Sequence, residues 1–187
     1  MLKNQILEFY KEYPEKPFIS EKRDYKKFLE EVKISKSKLV PIKNMNRTDE
    51  GLLPGDIILL WRINFGTFTT ESIKEGMYPK YFEYTYGIDA PKSLELLISL
   101  DLVLKNSNLE SLPHNNLTFL KQLLKNKNVK GLSKMKKEDV YNYININFNE
   151  KELEQFNFIQ GYSLTLKGLE VLKNNNSIVD KHPKKKF

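Results

Sequence analysis

Apolar residues in the first 35 positions recur at helical spacing, as Leu2, Ile6, Phe9 and Tyr10 and then as Tyr25, Phe28, Leu29 and Val32. Between the two sets, Tyr13-Pro14-Glu15-Lys16-Pro17 interrupts helical backbone twice, so the pattern predicts two short amphipathic helices. Residues 35–54 are polar and broken by Pro41, Gly51 and Pro54, which reads as a connecting arm. The densest apolar run follows, Ile57-Ile58-Leu59-Leu60-Trp61-Arg62-Ile63, opened by Pro54-Gly55-Asp56. Proline and an acidic residue in the first turn predict a helix here, with a buried strand as the alternative for so short a run. A second helix with Pro79 in its first turn is expected to end at Gly87. A third, from Ala90 to Leu100, would be capped by Asp89 and present Leu94, Leu97, Ile98 and Leu102 to a core.

The segment 117–144 is too long and too periodic for a bare loop. Leu117, Leu120, Leu123 and Leu124 form one stripe and Val140, Tyr143 and Ile144 another, with Val129 and Leu132 between them as a plug and Ser133 placed to cap the second helix. From Lys121 to Lys137 there is no acidic residue, while Lys121, Lys125, Lys127, Lys130, Lys134, Lys136 and Lys137 all fall there.

Charge sharpens that observation more than it starts it. The chain carries +7 at neutral pH, which favours polyanions, but the excess is almost all lysine, with Arg23, Arg47 and Arg62 the only arginines. Lysine and asparagine both have A/T-rich codons, so an A/T-rich genome inflates their totals without selection for binding. Local clustering is harder to explain that way. A 40% hydrophobic share with 12% aromatics fits a folded, water-soluble chain. Absence of cysteine removes disulfides, thiolate metal sites and cysteine nucleophiles. Without an apolar run of about 20 residues or a signal-like amino terminus, a cytoplasmic protein with no membrane partner is expected.

Catalytic chemistry is not apparent. His114 and His182 have neither metal-ligand spacing nor a triad arrangement and read as solvated, the second in a basic tail of residues 177–187. Gly51, Gly55 and Gly66 are too scattered for a phosphate loop. Trp61 and Phe82 read as core rather than as base-stacking platforms. No enzyme, cofactor or metal is expected.

Two resemblances organise the chain. The string from Tyr81 to Val103, with Tyr86-Gly87-Ile88 as its turn, resembles a winged helix-turn-helix, and Tyr162-Ser163-Leu164-Thr165-Leu166-Lys167-Gly168-Leu169 is similar to that family's return strand and following helix. The family would turn Pro91, Lys92, Ser93, Leu96 and Ser99 toward DNA, with Lys105 near the wing. That face lacks the arginine, asparagine or glutamine of direct base readout. The string Val129-Lys130-Gly131-Leu132-Ser133-Lys134-Met135-Lys136-Lys137-Glu138-Asp139-Val140 resembles the helix-joining segment of Rho N-terminal-like and, more loosely, SAP domains, where basic residues at the start of the second helix meet phosphates.

The expectation is thus a mainly α protein: a winged helix-turn-helix with a small β wing plus a small helix-extended loop-helix module. An amino-terminal helical pair and arm would occupy 1–50, the winged-helix core 51–108 and 156–176, and the SAP/Rho N-terminal-like insert 109–155. Expected function is a non-enzymatic nucleic-acid-binding accessory protein, DNA in preference to RNA, lysine-dominated and sequence-tolerant, of a character that suits a phage or mobile element. Its nucleic-acid contacts would be Lys121, Lys125, Lys127, Lys130, Ser133, Lys134, Lys136 and Lys137, with Lys92, Ser93 and Lys105 from the winged helix. The alternative is a protein–protein interaction module or inhibitor that docks on a host nucleic-acid enzyme. A homodimer through the amino-terminal helices stays open.

Overall fold

The computed structural model describes residues 2–183. It is mainly α, with one two-stranded antiparallel sheet. The amino-terminal pair is α1 (Leu2–Glu8) and α2 (Tyr25–Ile34), the second started by the Asp24 carboxylate, which accepts the Lys27 N–H at 3.0 Å. Ile6, Tyr10, Phe28, Leu29 and Val32 are buried as their spacing predicts, whereas Leu2 and Phe9 stay at the surface.

The arm at 35–54 is more than a connection. It forms two 3-10 turns, Lys36–Lys38 and Ile42–Met45, and buries Val40, Asn44, Met45, Leu52 and Leu53. Its apolar residues are too widely spaced to give a period, so tertiary contacts rather than local pattern fold it. Arg47 holds it down through a paired contact with Glu15 at 2.6 and 2.8 Å and a bond to the Gly51 carbonyl at 2.6 Å.

The central element is α3 (Pro54–Ile63), a helix rather than the alternative strand, with every residue from Pro54 to Leu60 buried. A helix apolar all round must be covered all round, and the helices Ala90–Ser99, Leu166–Asn174 and Asn176–Asp180, the strand at 162–164 and the turn at 42–45 all pack on it. Asp56 in its first turn is 2% exposed and accepts the Leu53 N–H at 2.9 Å. Burial pushes its carboxyl pKa up, opposed by hydrogen bonds from Ser93 and the Leu53 amide.

The aromatic segment is helical only over α4 (Tyr81–Tyr84), so Pro79 precedes the helix instead of opening it. Gly87 ends it at φ +62°, and a Cβ there would also lie 2.6 Å from Pro17, so glycine is required on both counts. Arg23 ties this region to the amino-terminal helices, its guanidinium lying 3.7 Å over Phe28 and 4.1 Å over Tyr84, with Glu83 at 3.4 Å.

Next comes α5 (Ala90–Ser99), which buries Leu94 and Leu97; Leu102 is buried just beyond it, but Ile98 is 39% exposed, outside the expected face. It leads into β1 (Val103–Lys105). That strand pairs with β2 (Tyr162–Leu164), Leu104 opposite Ser163, across an excursion of more than fifty residues. The opposite edge of the β2 segment bonds to residues 68–70, with Tyr162 N–H to Phe68 at 3.0 Å and Thr70 N–H to Gln160 at 2.8 Å.

The excursion holds α6 (Leu117–Asn126), α7 (Lys137–Asn147) and α8 (Glu150–Leu153), and it has its own apolar cluster. Leu112, Leu120, Leu123, Leu124, Val140, Ile144, Phe148 and Leu153 form its centre.

After β2, α9 (Leu166–Asn174) starts at Thr165 and α10 (Asn176–Asp180) follows. Here the expected tail gives way. Val179 and His182 are buried, and His182 Nδ1 is 2.7 Å from the Tyr86 hydroxyl, with the rings of Tyr81 and Trp61 packed around it. An aromatic cage explains what spacing hid: imidazole is buried as an apolar ring with one satisfied nitrogen. Lys184, Lys185, Lys186 and Phe187 of the expected tail lie outside the described residues. Among the described residues no helix is long and apolar enough to cross a membrane.

Candidate nucleic-acid interface

The lysine-rich segment is built on two helices with separate starts. Asn116 accepts the Phe119 N–H at 2.8 Å and opens α6, which turns Leu120, Leu123 and Leu124 inward onto Val140 and Ile144. Burying those positions leaves Lys121 and Lys125, one turn apart, on the outward side. Asn128 at φ +59° and Gly131 at φ +77° then bend the chain back, and Val129 and Leu132 half-bury between the helices as the expected plug. Lys130 and Lys134 stand exposed on this linker, and Lys136 and Lys137 stand exposed where α7 begins.

The start of α7 departs from expectation. Ser133 lies in an exposed turn four residues before the helix and caps nothing. The Asp139 carboxylate instead accepts the Lys136 N–H at 2.8 Å, with Glu138 beside it in the first turn. A carboxylate reaching back from the third helical position satisfies the orphan amide and complements the helix dipole without a hydroxyl. A phosphate approaching this helix end therefore meets Asp139 as well as the lysines.

The seven lysines separate by partner. Lys127 is ion-paired with Glu152 and lies 4.5 Å over the Phe148 ring, so it braces α8 against the α6 end. Lys137 covers Tyr141 at 5.4 Å. Lys121, Lys125, Lys130, Lys134 and Lys136 have no acidic partner among the described residues. Apart from Glu138 and Asp139, two acidic side chains of the insert lie at α8 with partners of their own. Glu150 accepts the Asn108 and Leu109 N–H groups at 3.0 and 2.8 Å, and Glu152 is drawn to Lys127, which lowers its pKa.

On α5 and β1 the three remaining candidates scatter. Lys105 is exposed on β1. Lys92 is exposed but sits 3.6 Å from Asp89, which shares its charge. Ser93 does not face outward as expected: only 7% exposed, it lies on the inner side of α5, where its hydroxyl acts against the burial that raises the Asp56 pKa. Asp89 occupies the cap position of α5 with no side-chain cap bond.

The residues that aim the insert escaped sequence reasoning. Asn115, 5% exposed, donates to the Ser111 and Ile159 carbonyls at 2.8 and 3.0 Å and accepts the Ile159 N–H at 3.0 Å, stitching the chain entering the excursion to the chain leaving it. Ser111, fully buried, accepts the Gly161 N–H at 3.0 Å. In a chain rich in asparagine nothing marks Asn115 beforehand. The pair Ser111/Asn115, four apart beside a proline, is the only trace.

No group of three histidine, aspartate or glutamate side chains among the described residues could hold a metal ion. Comparison of the chain with protein-family models, with curated proteins and with solved structures finds no match.

Proposed function

We propose that this chain is a non-enzymatic nucleic-acid-binding accessory protein, DNA in preference to RNA, in which a winged helix-turn-helix scaffold carries a Rho N-terminal- or SAP-like insert that grips the phosphate backbone. The observation that carries this reading is a set of five lysines on α6 and the α6–α7 linker, Lys121 half-buried and Lys125, Lys130, Lys134 and Lys136 exposed, with no acidic partner among the described residues. Five such charges repel one another, and a polyanion relieves the repulsion while releasing counterions. The element order α3, bridge at Thr69, α4, α5, β1, β2 supports the winged-helix assignment, since it gives three helices and then an antiparallel strand pair, with the Thr69 bridge on its other edge.

The same residues argue for sequence tolerance. Arginine makes the commonest bidentate base contact, and two of the three arginines are committed, Arg23 to Glu83 and Arg47 to Glu15. Lysine on phosphate positions without specifying. The test is titration against unrelated duplex DNA, single-stranded DNA and RNA at two salt concentrations. Binding should weaken steeply with salt and fall at least tenfold in Lys130→Glu/Lys134→Glu/Lys136→Glu, with duplex DNA bound best. No binding at low salt sinks the proposal.

A second reading, an interaction module docking on a host nucleic-acid enzyme, is favoured by Leu104 at 52% and Leu166 at 86% exposure beside the α5–β1 turn. It predicts no salt-sensitive titration and loss of partner capture in Leu104→Asp/Leu166→Asp.

A further inference from the structure

The C-terminal helix closes one side of a cavity of about 280 Å3, at the lower end of the range of small-ligand sites. Its walls come from three distant parts of the chain: Pro41 and Asn44 from the arm, Thr85 and Tyr86 from the end of α4, and Ile178 from α10. Prolines, an isoleucine and the buried Tyr86 ring make the floor apolar, and Asn44 is already used, its amide donating to the Thr85 carbonyl at 2.7 Å. Lys43 from the arm and Lys181 just after α10 also line it, both exposed and neither with an acidic partner among the described residues.

Other hollows lack this combination. In the cleft above Asp56, Arg47 is held by Glu15 and Lys92 by Asp89. In the one beside α2, Lys27 and Lys38 face Asp24 and Glu31. In the one near Tyr78, Lys22 is paired with Glu75. Each of those hollows is lined by carboxylates, whereas the residues lining the cavity at the C-terminal helix include two lysines and no acid.

We propose that this slot binds a small carboxylate with a flat or branched apolar body, the body against Pro41, Tyr86 and Ile178 and the carboxylate between Lys43 and Lys181. Apolar walls supply the driving force by burying the body, and the cations supply orientation, since a neutral analogue leaves them unpaired. An occupant touches both the arm and α10, so it stabilises the packing of the chain's C-terminal helix. This site is separate from the lysines of the insert and stands whether or not they bind nucleic acid.

The test uses the full chain with 2-naphthoate as probe and neutral 2-naphthamide as its isostere, followed by amide chemical shifts. Expected are shifts at Asn44, Thr85, Tyr86 and Ile178, at least fivefold weaker binding of the amide, and at least tenfold weaker binding of the acid to Lys43→Glu/Lys181→Glu. Both lysines are exposed, and an unchanged unfolding midpoint of that variant shows that it folds. Equal affinity for acid and amide overturns the proposal. So does unchanged affinity in the variant, or the absence of shifts at those four residues with millimolar probe.

Discussion

The two apolar clusters of this protein are assembled in opposite ways. In the larger, built on α3, the defining contacts join distant sequence: the Tyr10 hydroxyl accepts the Val40 N–H, and Tyr86 meets His182 across 96 positions. In the smaller, every member lies between Leu109 and Phe158, and its helices are neighbours in the chain. Long-range closure gives the first its cooperativity, whereas the second can form from local pairs and needs only to be aimed. The insert is thus free to carry repelling charge that the core could not accommodate.

The largest effect that tests this division is loss of a ring from the core. Phe82 is fully buried in the α3 cluster, and Phe82→Ala should cost about 3–5 kcal/mol. Denaturant unfolding should show the loss, and hydrogen exchange should report it at amides of α3, α5 and α9 together. Protection that falls at α4 alone would break the picture of one cooperative core.

The matching change in the insert is Leu124→Ala, also at a fully buried position, with an expected cost of about 2–5 kcal/mol. Its signature should be local: amides of α6 and α7 lose protection while those of α3 keep theirs. If α3 loses as much, the clusters are one cooperative unit. An Asn115→Ala variant sharpens the point, since it cuts three bonds at the junction and leaves both apolar clusters whole.

These expectations also measure how far the sequence could be read. Periodicity placed α2, α3, α5, α6 and α7 and most of their buried residues, because each carries an apolar stripe or run of its own. It could not place Met45, Leu52 or Val40, whose burial depends on the surface of α3 arriving beside them. It misplaced His182 for the same reason, since the aromatic cage comes from Trp61, Tyr81 and Tyr86, all about a hundred residues away. At the candidate site, the lysines were legible as a cluster because the strand of sequence that holds them is local. Their separate duties were not, because Glu152 reaches Lys127 only once α8 folds back.

Acid should divide the two regions next. Burial, then the nearby Arg62 charge, lowers the pKa of His182 from its ordinary value of 6.5. The folded chain thus favours neutral imidazole. Its contribution to stability is complete above pH 6.5 and is lost as pH falls from there toward the depressed folded value. Between pH 7 and 5, exchange should rise first in α10 while the insert is unaffected, and His182→Gln should flatten that dependence. An equal rise in α6 would place the sensitive group elsewhere.

The smallest effect tests which residue starts α7 and what that costs the candidate interface. Ser133→Ala should change stability by less than about 0.5 kcal/mol, because its hydroxyl caps nothing in the fold. Asp139→Ala removes the carboxylate that accepts the Lys136 N–H and should cost about 0.5–1 kcal/mol, seen as fraying of the first turn of α7. For nucleic acid the sign reverses. Deleting Asp139 takes away the negative charge nearest Lys136 and Lys137, so affinity should rise two- to fivefold at low salt even as the helix weakens. A variant that loses stability and affinity together would mean that an ordered α7 start, rather than the net charge around it, sets the grip.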